Sequence, residues 1–473
     1  MNDTIANPPG ERELRGATLC QILHWLASGR IDSLRLTRSY VDAIAATAKS
    51  LNAYTASDAG IAIEQARASD HRRASGTPIG RLDGVTIAIK DNIDVAGLPT
   101  HCGLPGVREP AAEDAQVVSQ LRAAGAVIFG KTGVDEGVLG ADGSNRHFGD
   151  VHNPWRHGFS PGGSSAGAAA AVAAGLCTAA IGSDSLGSCR IPASYCGVYA
   201  LKPTPGEIST SGMRPAARRL DCVGLLARGV DDLAVLLHVL AGYDAGDPRS
   251  RRRRVDMALP DWEPDKLRVG VLGDISAWGV DADVSRLFAN ALQNLHHELP
   301  NRSNVDFDDF PIAAARRAAF FLIEAEMRVT YADALADSKN PLSPRLREFL
   351  DFAGTKSAAD YVVADRMLDA AVAKARRLFA HVDVLVTPTT PQTAFAHGEN
   401  VPANQADFTC FANLAGCPAL SLPMGVTSNG LPVGLQLLGP PGSDLRLLEL
   451  GEVCAAALDA TPTYPVQAHS PHD

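Results

Sequence analysis

Apolar residues recur at helical spacing over Leu19 to Ala27 and Ser33 to Ala46, and an alanine-rich run over Ser57 to His71 continues in the same period, so the chain is expected to open with a helical layer. At Leu82 the pattern changes. LDGVTIAIKD predicts a short strand, turn residues follow, and then come a helix near Ala115 to Ala124 and a second strand, AVIFGK, ending at Lys131. A helix over Ser165 to Ala174, a strand over Ala179 to Ser183 and a turn carrying Ser188 keep this alternation, which is the rhythm of an α/β protein. Asp231 or Asp232 is placed to cap an apolar helix ending at Gly242. Further on, Leu267 to Leu272 predicts a strand and Val284 to Leu295 an amphipathic helix. Long helices follow over Pro311 to Asp333 and Ser357 to Ala380, the latter opening on an S-x-x-D capping pattern at Ser357 and Asp360. Asp383 to Thr387 predicts another strand, and Pro418 to Met424 with Leu431 to Leu438 a hairpin-like pair.

These elements divide the chain into an N-terminal helical layer (1–75), a core (76–245), a helical insertion or cover (246–380) and a C-terminal part (381–473) that completes the core. The middle stretch reads equally well as a lid over a pocket or as an ordinary outer layer. One large domain, its sheet supplied from both ends of the chain, is the expected organisation.

Composition narrows the function classes. At 473 residues and 46% hydrophobic content the chain can bury a substantial core. Its net charge of −10 offers no general footprint for nucleic acid. The one basic run, Arg249 with Arg251 to Arg254, reads as a solvated loop beside its Asp-Pro and Ser neighbours rather than as a phosphate patch. Nine scattered cysteines without a C-x-x-C pair argue against a disulfide framework or a metal site and for a reducing compartment. The N-terminus lacks the charged and apolar regions of a secretory signal, and no apolar run reaches the roughly 18 residues of a membrane span. A cytoplasmic protein without cofactor, nucleic acid or membrane contact is expected.

The candidate chemistry lies between Ser160 and Thr204. Gly163, Ser165 and Gly167 match G-x-S-x-G, the nucleophile elbow of one hydrolase class, but the residues before it, NPWRHGFSPG, form a loop where an elbow requires a strand. Gly162 and Gly163 precede a helix whose N-terminus suits an anion, yet neither Gly-Lys-Ser/Thr nor G-x-G-x-x-G is present, so an oxyanion suits these amides better than a phosphate. Two serines on glycine-rich backbone, Ser164 and Ser188, together with Lys90 at a strand end, make the third and most coherent set.

KDN at Lys90, PGGSSAGAAAAVAAG from Pro161, GSDSLGSCRIPASYCGVYALKPT from Gly182, ARGVDDLA from Ala227 and GLPVGLQLLG from Gly430 resemble, in order and spacing, the amidase signature family. The resemblance covers Leu82 to Gly242 and resumes from Asp383 to Gly439, with little to match between. It implies an α/β fold with a large, mixed, twisted sheet covered by helices on both faces. It implies hydrolysis of a linear amide or related C–N acyl bond, with a small-molecule substrate, no metal and a possible homodimer. By the same resemblance Ser188 matches the acylated nucleophile, Ser164 a bridging serine on a cis peptide after Gly163, and Lys90 the base. The backbone N–H groups of Ser185, Leu186, Gly187 and Ser188 match the oxyanion loop, with Ser165, Asp184 and Arg190 in support.

Two positions depart from the family pattern. Leu186 stands where glycine is common, so either the loop takes a negative φ there or the leucine enters the pocket. Gly133 in KTGVDE stands where asparagine is frequent, removing a polar group near the active-site floor. Arg190 is expected to anchor the loop rather than bind a substrate carboxylate, and Cys189 to be a buried inert thiol. The segments Gly137 to His147 and Ala318 to Tyr331 are expected to line the pocket. The substrate is left open among linear amides, urea derivatives of carboxybiuret or allophanate type, and glutamine in a tRNA-dependent amidotransferase. Against the last stand the acidic balance and Ser188-Cys-Arg-Ile-Pro, where that subunit typically reads S-I-R-Q-P. A non-catalytic binder on the same fold is the reading from a different class.

Overall fold

The computed structural model describes residues 8–251, 266–339, 341–461 and 463–466. Arg252 to Arg254 lie outside the described residues. Eleven strands among the described residues form one sheet: β1 (Tyr54–Ser57), β2 (Ile87–Lys90), β3 (Gly130–Thr132), β4 (Ala179–Asp184), β5 (Tyr199–Lys202), β6 (Cys222–Ala227), β7 (Val269–Leu272), β8 (Arg302–Val305), β9 (Val384–Pro388), β10 (Ala419–Val426) and β11 (Pro432–Leu438). Their spatial order is β1-β3-β2-β4-β6-β5-β10-β11-β9-β7-β8. The sheet is mixed: β2 runs parallel to β3 and β4, and β7 to β8 and β9, while β5, β6, β10 and β11 pair antiparallel. Its two halves meet at the β5–β10 pairing, where Leu201 stands opposite Leu420.

Side chains on the central strands alternate in size, and that alternation positions the site. Ile87 and Ile89 on β2, Ile181 on β4, Leu201 on β5 and Val223 and Leu225 on β6 share one hydrophobic cluster with the Leu19–Ala27, Val230–Leu240 and Asp444–Leu458 helices. The opposite face presents Ala88, Ala180 and Ala200, and against these small residues packs the alanine-rich Ala166–Ala173 helix. Every residue of that helix is buried. Here alanine lets backbones approach closely, since a larger side chain would hold the helix off the sheet. Two residues beyond Ala88, and so on the same face, stands Lys90.

Most elements lie where the sequence pattern puts them, including the capping box at Ser357 and Asp360 and the antiparallel β10–β11 pair. Several differ. Ser57, the expected start of the helix, is the last residue of the edge strand β1, and the helix starts at Ala59. The helix expected to be capped by Asp231 or Asp232 has Gly229 at its N-cap, and the Asp232 carboxylate instead accepts from Cys20 N (3.0 Å), joining the N-terminal layer to the core. The central strands β5 and β6 carry no alternation of polar and apolar residues because both faces are buried, which leaves no polar face to mark them. The 246–380 stretch contributes the parallel pair β7–β8 to the sheet edge as well as the Ile312–Thr330, Pro344–Gly354 and Ala358–Phe379 helices.

Candidate active site

β2 delivers Lys90 and β4 ends at Asp184, so the two parallel strands bring Lys90 beside the Asp184–Ser188 turn. The Lys90 ammonium group lies fully buried and donates to Ser164 Oγ (2.8 Å), Ser183 Oγ (2.8 Å) and Ser183 O (3.3 Å). Burial pushes its pKa down to about 8, opposed by the charges of Asp135, Asp184 and Asp221. Ser164 follows a cis peptide from Gly163 and precedes the Ala166–Ala173 helix. A Cβ on Gly163 would lie 2.1 Å from Asp135 Oδ2 and one on Gly162 2.7 Å from Pro192 Cα, so both glycines are required by space.

Ser188 sits before the Arg190–Cys196 helix, and its carbonyl accepts from Ser165 N (3.0 Å), which ties the two serine loops together. It is the only residue between Ser160 and Thr204 that is not buried. Its hydroxyl makes no hydrogen bond to another described residue. Ser165 faces inward, its hydroxyl donating to Ser183 O (3.1 Å) and lying 3.4 Å from Cys189 Sγ. The Cys189 thiol fills space left by Gly182 and Gly224, and burial pushes its pKa up to about 12, so it is an inert thiol.

Asp184 and Arg190 brace the turn. The Asp184 carboxylate accepts from Gly187 N (2.7 Å), Cys189 N (3.2 Å) and the Arg190 guanidinium. Burial is the largest influence and acts to raise its pKa, but the Arg190 and Lys202 charges together with the hydrogen bonds from Arg190 and Asn413 outweigh it and hold the pKa well below the usual carboxylate range. Arg190 is fully buried. Its five N–H donors go to both Asp184 oxygens, Thr409 O, Gln436 Oε1 and Asn413 Oδ1, which leaves none for a substrate carboxylate. Gly187 N–H is likewise committed to Asp184, which removes it from the expected oxyanion donors. Among the described residues, the N–H groups of Ser185, Leu186 and Ser188 have no acceptor.

Leu186 has a negative φ, and the left-handed conformation falls on Gly187 at φ 125°. The leucine is buried in the cluster that contains Val138, Ala217, Leu220 and Tyr331. Gly133 also differs from the expectation. The position a side chain would take there is filled by Val151 Cγ2, 2.8 Å from an added Cβ, so no polar gap opens. The two expected pocket segments meet where Tyr331 Oη donates to Gly137 O (3.1 Å). Thr330 and Tyr331 line a polar cleft of about 880 Å³ together with Asp94, His101, Cys102 and Arg214, whereas Gly137 to His147 lies outside its lining. Arg249 donates to Asp221 O (3.2 Å) and to Thr210, and so serves the structure of that loop.

Sequence reasoning passes over Ser183, Asn92 and Asp221. Asn92 Nδ2 bridges Ser183 Oγ and Arg214 O (both 3.2 Å), and Ser185 Oγ donates to Asp221 (2.5 Å), whose carboxyl burial pushes up to about 6. Gln436 does carry a legible signal, being a polar residue inside the apolar strand LPVGLQLL.

Residues 35–448 match the model of the amidase family, described as Amidase. The chain is 34% identical to a glutamyl-tRNA(Gln) amidotransferase subunit of Trichormus variabilis, over 92% of this chain and 96% of that one. To the subunit of the same name from Synechococcus sp. strain RCC307 it is 36% identical, over 93% and 97%. Among solved structures, a chain of a vestigial protein complex described as revealing the evolutionary origins of an s-triazine catabolic enzyme superposes with a TM-score of 0.87 at 30% identity, covering 94% of this chain and all of that one. Native peptide amidase from Stenotrophomonas maltophilia superposes with a TM-score of 0.81 at 29% identity, over 95% and 98%. The chain belongs to the amidase family and is an enzyme of the class that acts on C–N bonds. Among the described residues no helix is long and apolar enough to cross a membrane.

Proposed function

We propose that this protein is an amidohydrolase that cleaves a linear carboxamide or related C–N acyl bond through an acyl-enzyme on Ser188. The observation that carries the reading is the partial exposure of Ser188 alone in a buried stretch, beside a buried Lys90 already hydrogen-bonded to Ser164. Neutral Lys90 accepts the Ser164 proton while Ser164 accepts that of Ser188, whose Oγ bonds to the substrate carbonyl carbon. The N–H groups of Ser185, Leu186 and Ser188 hold the resulting oxyanion, each such donor contributing roughly 3 to 4 kcal/mol in comparable sites. The C–N bond then breaks as the relay returns a proton to the leaving amine. Water, deprotonated by the same relay, releases the acid and restores Ser188.

Ser188→Ala and Lys90→Ala proteins are expected to keep the fold and lose turnover on a panel of amides, ureas and carbamates. A folded variant of either kind with unaltered activity overturns the mechanism. A second reading, the glutamine-hydrolysing subunit of a tRNA-dependent amidotransferase, is favoured by the names of the curated relatives. Amide hydrolysis by the isolated chain supports the first reading. Glutamine hydrolysis that requires co-purifying subunits supports the second.

A further inference from the structure

One peptide unit of the turn before Ser188 is held at both of its polar ends. The Leu186 carbonyl accepts from Thr409 Oγ1 (2.6 Å), and the Gly187 N–H donates to Asp184 Oδ1 (2.7 Å). With oxygen and hydrogen of the same plane both fixed, the plane cannot rotate, and the flanking Leu186 and Ser188 N–H groups keep their directions. Thr409 is suited to this task because its own position is over-determined. It is fully buried, its carbonyl accepts from Arg190 (2.9 Å), and the preceding Phe408 carbonyl accepts from Gln436 Nε2 (2.8 Å). Its hydroxyl occupies room that only glycine leaves: a Cβ on Gly187 would lie 2.2 Å from Thr409 Oγ1 and 2.6 Å from Thr409 Cβ.

We infer that Thr409, supplied by the C-terminal part of the chain, is a positioning residue for the oxyanion loop, acting through the Leu186–Gly187 peptide without touching substrate. This rests on the acyl-enzyme reading of Ser188. Removing the hydroxyl leaves a buried carbonyl without its donor and frees the peptide to turn. The loss then falls on the transition state, where the oxyanion forms, and little on substrate binding.

The test is steady-state kinetics of amide hydrolysis by full-length Thr409→Val, Thr409→Ala and Thr409→Ser proteins, with folding checked by thermal unfolding. Expected is a kcat loss of roughly 10- to 100-fold in the valine and alanine proteins, with KM changed by less than about threefold and serine restoring most of the rate. Valine keeps the shape and alanine relieves any crowding, so either one, if folded, is decisive. A folded hydroxyl-free variant with kcat within about twofold of the parent overturns the inference, as does a serine protein as impaired as valine. Ser188→Ala measured alongside separates the levels. Turnover surviving there overturns the acyl-enzyme reading and the clamp with it, whereas an inactive Ser188→Ala beside a fully active Thr409→Val overturns the clamp alone.

Discussion

Lys90, fully buried, sits in an environment far from the aqueous one of its free side chain. Burial takes its pKa from 10.5 to about 8, a displacement worth about 3 kcal/mol in favour of the neutral amine. A base must be neutral to accept a proton, so kcat/KM is expected to rise about tenfold per pH unit below pH 8 and to level off above it. A flat profile across that range contradicts Lys90 as base. The same displacement is a stability statement. Between pH 8 and 10.5 the unfolded chain binds the Lys90 proton and the folded chain does not, so folding stability rises with pH across that window, and below pH 8 the cost of charging a buried amine is fully present. A Lys90→Met protein lacks this slope. The stability of the parent relative to Lys90→Met, from urea unfolding, is therefore expected to increase by up to about 3 kcal/mol from pH 8 to pH 10.5, and a constant difference contradicts the assignment. Lys90, Ser164 and Ser188 are visible in the sequence because each sits in a local motif. Asn92 and Ser183 lie in the same motifs as Lys90 and Ser188, but their part is a hydrogen bond to each other across the chain that no local pattern states, and Thr409 lies outside every motif.

Among elements, the Ala166–Ala173 helix has little room to change. Gly167 N donates to Gly133 O (2.9 Å), and a Cβ at Gly167 would lie 2.2 Å from Ala53 O and 2.4 Å from Gly133 N. The helix is pressed onto backbone at the end of β3, and this contact fixes where Ser164 and Ser165 enter. Gly167→Ala is expected to destabilise the protein by about 1 to 3 kcal/mol or more and to lower activity in proportion. Unchanged stability in chemical unfolding would show that the helix has slack. The helix is legible as an alanine-rich run, and the strands around it less so. β2 and β4 show up through their apolar residues, but β5 and β6, buried on both faces, lack the polar alternation that marks a half-exposed strand. The edge strand β1, only four residues long, merges in sequence with the helix after it. The Asp231 and Asp232 pair shows the converse error: a capping residue type is present, while the carboxylate is engaged by Cys20 of another layer.

On the scale of the whole molecule, the site is assembled from both ends of the chain. Lys90, Ser164 and Ser188 come from the N-terminal half, while Asn413 and Gln436, which bind the Arg190 brace, come from the C-terminal part, Asn413 on the Cys410–Leu414 helix and Gln436 on β11. A chain ended after Cys417 loses the two strands that join β5 to β9, leaving the fully buried β5 and β9 each with an unpaired edge, and is expected to aggregate. A soluble product with cooperative unfolding would contradict that view of the sheet. Completion of the sheet from both ends can be read from GLPVGLQLLG and the early motifs together. The pairing of β5 with β10 cannot, since no local pattern encodes a partner more than 200 residues away. The most direct test of the central claim is mass spectrometry of the intact protein and its peptides after reaction with a fluorophosphonate. A single adduct on Ser188, lost in Ser188→Ala and strongly slowed in Lys90→Met, is predicted. Absence of an adduct from an active protein, or an adduct confined to another residue, would contradict it.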